Sequence, residues 1–180
     1  MRFESGYRIG ARATQNLGEF FATTIEYGFS DQPLRLTNVS SRLPNLNMSH
    51  FVHSLTYNVS FSPMRRSQRF RPHIEAGTGA LLFHISENSK NDAEDRDLRL
   101  EDSWEVLFNY GIGFKYLFAD RFALVADVKG RVSDIPTYGL PSKSKFVNGQ
   151  FEPAISASGI MHSWQINIGF AHQWDGDSSW

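Results

Sequence analysis

Residues 104–133 read WEVLFNYGIGFKYLFADRFALVADVKGRVS, two long amphipathic strands folded on a three-residue turn, Ala119 to Arg121. In the first strand Trp104, Val106, Phe108, Tyr110, Ile112, Phe114, Tyr116 and Phe118 share one face, and Glu105, Leu107, Asn109, Gly111, Gly113 and Lys115 share the other. This is the period of two that side chains follow along a strand. The return strand keeps it, with Phe122, Leu124, Ala126, Val128 and Val132 opposed to Asp127, Lys129 and Arg131. Strands in soluble domains average about five or six residues, so arms of this length do not fit an ordinary sandwich. A small closed barrel has no room inside for the Trp, Phe and Tyr side chains of such a strand, but it accommodates Gly, Asn and paired charges. The bulky face is therefore expected outward, where only lipid makes it stable. Trp104 at one end, and Tyr116 and Phe118 at the other, suit two membrane interfaces.

The same alternation recurs on both sides of this hairpin. Residues 3–14 place Phe3, Tyr7, Ile9, Ala11 and Ala13 outward against Glu4, Gly6, Arg8, Gly10 and Arg12. After a short QNLGE turn, Phe21, Thr23, Ile25, Tyr27 and Phe29 oppose Ala22, Thr24, Glu26 and Gly28. A third strand spans 51–61, a basic turn SPMRRSQR follows, and a fourth begins at Phe70 with Arg71, His73, Glu75, Gly77 and Gly79 inward. The last strand is WQINIGFAHQW, residues 164–174. Residues 30–50, 84–103 and 134–163 lack periodicity and read as three long loops. Connections thus alternate short and long, as in an up-and-down barrel with tight periplasmic turns and long extracellular loops.

Composition neither opposes nor announces this reading. At 180 residues the chain is expected to form one domain, 1–174, with a short polar tail, 175–180. Its net charge of −1 offers no argument for a nucleic-acid partner, and the lack of cysteine excludes disulfides and thiolate chemistry. Mean hydropathy is negative, −0.37, and no apolar run approaches the ~20 residues of a helical span. Alternation cancels the average in membrane barrels. Seven strands are counted, whereas single-chain bacterial barrels have even numbers. No signal peptide precedes the first strand. The expectation is an eight-stranded type whose first strand and signal peptide lie upstream of Met1, leaving residues 3–14 and 164–174 as two sheet edges.

With the strands placed, the chain resembles the outer-membrane β-barrel family with the architecture of the OmpA-type transmembrane domain. The carriers are GARATQNLGEFFATTIEYGFS, RFRPHIEAGTGALLF, FNYGIGFKYLFADRFALVADVKGRVSDIPTYGLP and the terminal INIGFAHQW. The resemblance implies an all-β, antiparallel transmembrane barrel in the outer membrane of a Gram-negative bacterium, in contact with lipid and lipopolysaccharide. It also implies that Ile166, Ile168, Phe170 and Trp174 form the C-terminal signal read by the barrel-assembly machinery, with His172 standing where an aromatic is usual. Members of this class include anchors, adhesins and enzymes, so fold alone does not set the role.

Several constellations bear chemistry. Glu4, Glu26, Glu75, Glu105 and Asp127 face Arg8, Arg12, Arg71, Lys115, Lys129 and Arg131 on the inward side, with His73 beside them. Opposed charges in a narrow lumen are expected to pair, since an unpaired buried charge costs several kcal/mol. The expected result is a plug, with an ion path as its rival. For catalysis, His84 and Ser86 stand at i,i+2, the spacing that puts a base and a nucleophile on one face of a strand. Some lipid A deacylases among these barrels carry a His-x-Ser motif near the end of the central hairpin, where this chain has Arg131 and Ser133, which argues against that activity. The acidic loop with Glu87, Asp92, Glu94, Asp95, Asp97, Glu101 and Asp102 lacks the ordered ligand spacing of a calcium loop. Tyr138, Phe146 and Phe151 could form a contact patch or pack over the barrel mouth.

The expected role is non-enzymatic and without a cofactor: a structural or surface-interaction barrel, porin-like in outline, whose loops 30–50, 84–103 and 134–163 meet an extracellular ligand. A lipid A acyl hydrolase and a soluble lipocalin-like carrier are the alternatives. A lipocalin would turn Phe108, Tyr110, Phe114 and Tyr116 inward.

Overall fold

The structure, a computed structural model, describes residues 2–3, 6–40, 43–87, 90–91, 100–138, 145–147, 150–152 and 159–174. Its strands are β1 (Arg2–Phe3), β2 (Tyr7–Leu17), β3 (Phe21–Ser40), β4 (Leu43–Phe61), β5 (Phe70–Ile85), β6 (Ser103–Leu117), β7 (Phe122–Asp134), β8 (Lys145–Val147), β9 (Gln150–Glu152) and β10 (Ile160–His172). Seven of them, β2 to β7 and β10, form one curled, half-barrel antiparallel sheet in which each strand pairs with its neighbours in sequence. The two-residue β1 extends the line of β2 along β3, through Arg2↔Arg35 and Phe3↔Leu34. β8 and β9 make a separate small hairpin inside the third long connection.

The central hairpin runs in unbroken register from Leu107↔Ser133 to Leu117↔Ala123. Its turn is one residue longer than expected, because Phe118 already leaves the ladder and donates its N–H to the Phe122 carbonyl at 3.2 Å. The ends of β2 and β10 are shifted by two to four residues from the expected 3–14 and 164–174. Alternation placed their middles correctly, but their ends are set by pairing with β3 and β7.

Of residues 30–50, expected as a loop, 30–40 and 43–50 are instead the far half of the β3/β4 hairpin, whose register continues past Asp31↔Phe51 to Thr37↔Asn45 and, after a shift, Ser40↔Leu43. A ladder can extend without an apolar face, since its hydrogen bonds need no alternation of side chains. The loss of periodicity therefore marks the end of the apolar face, not the end of the strand.

The sheet does not close on itself. Among the described residues β2 pairs only with β3, and β10 only with β7. Both edge strands begin at the end of the sheet that carries the long connections, Tyr7 opposite Asp31 and Ile160 opposite Asp134. They therefore run in the same direction.

Candidate functional site: the outer face and the filled interior

The outer face decides what surrounds this molecule. Trp104, Ile112 and Ile166 are 68%, 65% and 76% exposed, and the rest of the large apolar outward set is exposed or half-buried. Phe108, Tyr110 and Tyr116 are exposed and Phe114 half-buried on this side. From the short turns up to the Asp31↔Phe51 and Asp134↔Ile160 pairs, the outward positions of the seven strands carry formal charge only at Asp31 and Asp134 themselves.

Aromatic and aliphatic residues are zoned along the strands. At the short-turn end Phe21 meets Phe61 with ring centroids 5.2 Å apart, Phe70 meets Phe114 at 5.6 Å, and Phe118 meets Phe122 and Phe170. His172, the departure from the expected terminal pattern, lies 5.1 Å from Phe122 and 5.4 Å from Trp174, so it joins this aromatic ring. At the long-loop end Phe29 stacks on Phe51 and contacts His53, while Tyr110 meets His162 and Trp164. Between the two zones a registered row runs Ile74, Ile112, Val128, Ile166. With Phe114, Ala126 and Ile168 it lines an apolar hollow of about 610 Å³. The Tyr110 ring also covers Gly130, where a Cβ would lie 2.6 Å from it, and its hydroxyl bonds His162 Nε2 at 2.8 Å. Gly130 is an outward glycine, unlike those expected to make room inside.

The inward face carries a connected charge network. Glu26, 3% exposed, accepts from Arg8 at 2.7 Å, Arg12 at 3.0 Å and Lys129 at 2.6 Å. Lys129 also reaches Glu75 at 2.8 Å, and Arg12 reaches Asp127 at 2.5 Å. Six of the twelve expected residues are thus joined, three acids to three bases. Uncharged groups complete the set: Ser54 accepts from Arg8, Asn167 donates to Asp127, and Gln165 accepts from Arg131 at 3.3 Å. Sequence reasoning sorted inward residues by charge and passed over these amides and the hydroxyl, although all lie in the inward phase.

Glycines make the network possible. A Cβ on Gly113 would lie 2.7 Å from Asp127 Cβ and 2.9 Å from His73 Cε1, and one on Gly28 would overlap the Arg8 guanidinium. Of the remaining expected members, Arg131 joins through Gln165 and Asn167 and His73 lies in the row of Asp127, while Glu105, Arg71 and Lys115 do not join among the described residues. Glu105 accepts from Ser103 Oγ at 2.8 Å near the long-loop end, Arg71 and Lys115 stand opposite one another near the short turns, and Glu4 is outside the described residues.

Above Gly79 the interior changes character. Val52, Leu81, Phe83, Ile85, Leu100 and Leu107 are buried there, with Tyr138 wedged against Phe83 and His50 at centroid distances of 6.2 Å. Tyr138 is therefore not an exposed contact residue. It is packed inside with φ +52°, and its carbonyl accepts the Glu101 N–H at 2.9 Å, tying two loop roots together. Burial and the nearby Glu105 push its phenol upward, so it stays neutral. The signal was the run ALLF at 80–83, apolar in both phases. Phe146 and Phe151 are register partners in the β8/β9 hairpin.

At the top of β5, His84 Nδ1 lies 2.7 Å from Asp102 Oδ2, and Lys90 Nζ lies 3.0 Å from Asp102 Oδ1, which also accepts the Ile85 N–H. Burial would raise the Asp102 pKa, but the hydrogen bonds from Lys90, His84 and Ile85 outweigh it and hold the carboxyl below its ordinary value. Asp102 thus pins the root of the acidic loop, whose Asp92, Glu94, Asp95 and Asp97 lie outside the described residues. Ser86 lies past the end of β5, where its carbonyl accepts the Lys90 N–H in a helical turn, so the i,i+2 strand argument no longer sets its direction. No group of metal-binding side chains occurs among the described residues.

No protein-family model matches the chain, and no curated protein matches it.

Proposed function

We propose that the chain is an outer-membrane β-barrel of OmpA-type architecture with a structural or surface-interaction role and a filled interior. The observation that carries this reading is the outer face, which from the short turns up to Asp31 and Asp134 carries no other formal charge and has aromatic zones flanking an aliphatic row. In water such a surface would drive aggregation. In a bilayer it is the stable arrangement, with aromatics at both interfaces. Outward exposure of Phe108, Tyr110 and Tyr116 weighs against a lipocalin-like carrier, which needs that face inside.

The short turns would then face the periplasm and the long connections the exterior, lipopolysaccharide and any extracellular ligand. Ile166, Ile168, Phe170 and Trp174, all outward on or just past the last strand, would meet the assembly machinery. Because β2 and β10 run the same way, one strand running oppositely between them would pair antiparallel with both and complete eight. Two bare edges in lipid would otherwise leave backbone groups unpaired at several kcal/mol each.

The test is expression of the full gene product in a Gram-negative host. It is expected in the outer-membrane fraction, with gel mobility that shifts on boiling as the barrel opens. Recovery as a soluble folded protein would overturn the reading.

One observation favours a second reading, a lipid A acyl hydrolase: the Asp102 carboxylate orients His84 as it would orient a general base. Lipid A profiled by mass spectrometry from cells expressing wild type or His84→Asn separates the two. The structural reading expects identical spectra, and loss of one acyl chain only with the wild type would establish the hydrolase.

A further inference from the structure

Inward residues of β5, β6, β7 and β10 lie in registered rows, and the rows differ in charge. The row Glu75, Gly111, Lys129, Gln165 and the row His73, Gly113, Asp127, Asn167 each contain an acid that is bonded within the central network. The next row toward the short turns is Arg71, Lys115, Val125, Gly169. It holds two cations and no acid. Side chains directly opposite on an antiparallel pair start from Cβ atoms about 4.5–5.5 Å apart, and like charges there repel.

The central network cannot relieve this pair, because Glu26, Glu75 and Asp127 are already matched by Arg8, Arg12 and Lys129. Arg71 is 8% exposed, its Nε has no hydrogen-bond partner among the described residues, and its contact to the Glu19 carbonyl is long at 3.5 Å. The Glu19 carboxylate, exposed on the neighbouring turn, attracts Arg71 from solvent, but the charge of Arg66 on the next turn acts on both Arg71 and Lys115 and adds to the repulsion. A buried guanidinium with an unused donor, beside an ammonium, is a built receptor for an oxyanion. The fork supplies paired N–H donors and the ammonium a point charge, a match for the several oxygens of a phosphoryl group.

We propose that the short-turn mouth of the barrel, between Arg71, Lys115 and Arg66, is a binding site for a small phosphate-class oxyanion. The anion occupies the mouth, accepts from the Arg71 guanidinium and Lys115 Nζ, and converts two repelling cations into one bridged cluster. Its source is free phosphate or the phosphoryl headgroup of a lipid.

The full chain, folded in zwitterionic detergent, is titrated with inorganic phosphate and separately with a soluble short-chain phosphatidic acid, with binding followed by calorimetry. Saturable binding is expected, weakened at least about tenfold in Arg71→Gln/Lys115→Gln and restored toward wild type in Lys115→Arg. Tighter binding of the lipid identifies the headgroup as the source, and tighter binding of phosphate identifies the free ion. Melting supplies the second measurement. Without phosphate the double variant is expected to melt no lower than wild type, because repulsion is removed, and phosphate is expected to raise the melting temperature of the wild type alone. No saturation of wild type by either probe at about 10 mM, equal affinity in the double variant, or a double variant that melts far below wild type without phosphate would each overturn the site.

Discussion

Arg12 on β2 reaches across the interior to Asp127 on β7, 115 positions along the chain, and holds its carboxylate at 2.5 Å. No backbone ladder joins these strands, so this contact and the Lys129–Glu26 pair, from β7 to β3, bridge the half-barrel from within. Asp127→Ala is therefore expected to destabilise the folded protein by about 1–3 kcal/mol, because it takes one of two carboxylate partners from a part-buried guanidinium. Arg12→Gln combined with Asp127→Asn should recover part of that loss in a double-mutant cycle read by thermal melting. Additive losses would mean that the two groups do not interact.

Lys129 is shared by Glu26 and Glu75, and each of the three is nearly enclosed. Glu75→Ala removes half of that arrangement and should lower the melting temperature, whereas Glu19→Ala on the exposed turn should not. Equal melting of Glu75→Ala and wild type in detergent would show that the network contributes nothing to stability.

Gly113 and Gly169 both lie in the inward phase but differ in surroundings. A Cβ on Gly113 would press on Ala126 O at 2.6 Å as well as on Asp127 and His73, while one on Gly169 would meet nothing within 4 Å. Gly113→Ala is expected to cost about 1–3 kcal/mol by overpacking. Gly169→Ala should be neutral. Denaturant unfolding of the two variants side by side checks this.

Ile112 sits in the aliphatic row and Trp104 at its long-loop end. If lipid surrounds the barrel, Ile112→Arg should destabilise by about 2–4 kcal/mol and Trp104→Arg by about 1 or less, since charge is worst at the midplane. Folding titrations into vesicles measure both, and equal penalties at the two positions would contradict a depth-dependent environment.

The Asp102 contact carries a pH signature. Its folded-state pKa lies below the ordinary 3.8, so the stabilisation it brings is fully present above that value and is lost as pH falls through the folded value. Amide exchange at Ile85, whose N–H donates to Asp102 at 3.2 Å, should stay protected at about pH 6 and rise, relative to its intrinsic rate, by about pH 2. Asp102→Ala should expose the amide at both.

Much of the sheet was legible because a period of two, sustained from Trp104 to Phe118, admits one assignment of faces. The bulk of Trp104, Phe108 and Tyr110 then decides which face is outside. The β3/β4 extension was not legible, since a ladder between two polar strands leaves no period to find. The Tyr138 wedge was missed for a different reason. Its partners His50 and Phe83 come from two strands, and alternation says which way each points but not that a loop folds in upon them. Likewise the pairing of Arg12 with Asp127 depends on curvature, which no local pattern encodes. The His84–Asp102 contact joins a strand end to residues across an aperiodic loop, so spacing offered His84 with Ser86 in its place.

The apolar cluster of Phe83, Leu107 and Tyr138 fills the interior toward one end of the sheet, while the cationic row at Arg71 and Lys115 lies toward the other. With its wall complete, such a barrel is a cup and not a tube. A solute that enters must leave by the same opening, so the molecule would sustain no current across a bilayer and would sample the chemistry of a single compartment. Its two ends would thus face separate worlds without connecting them.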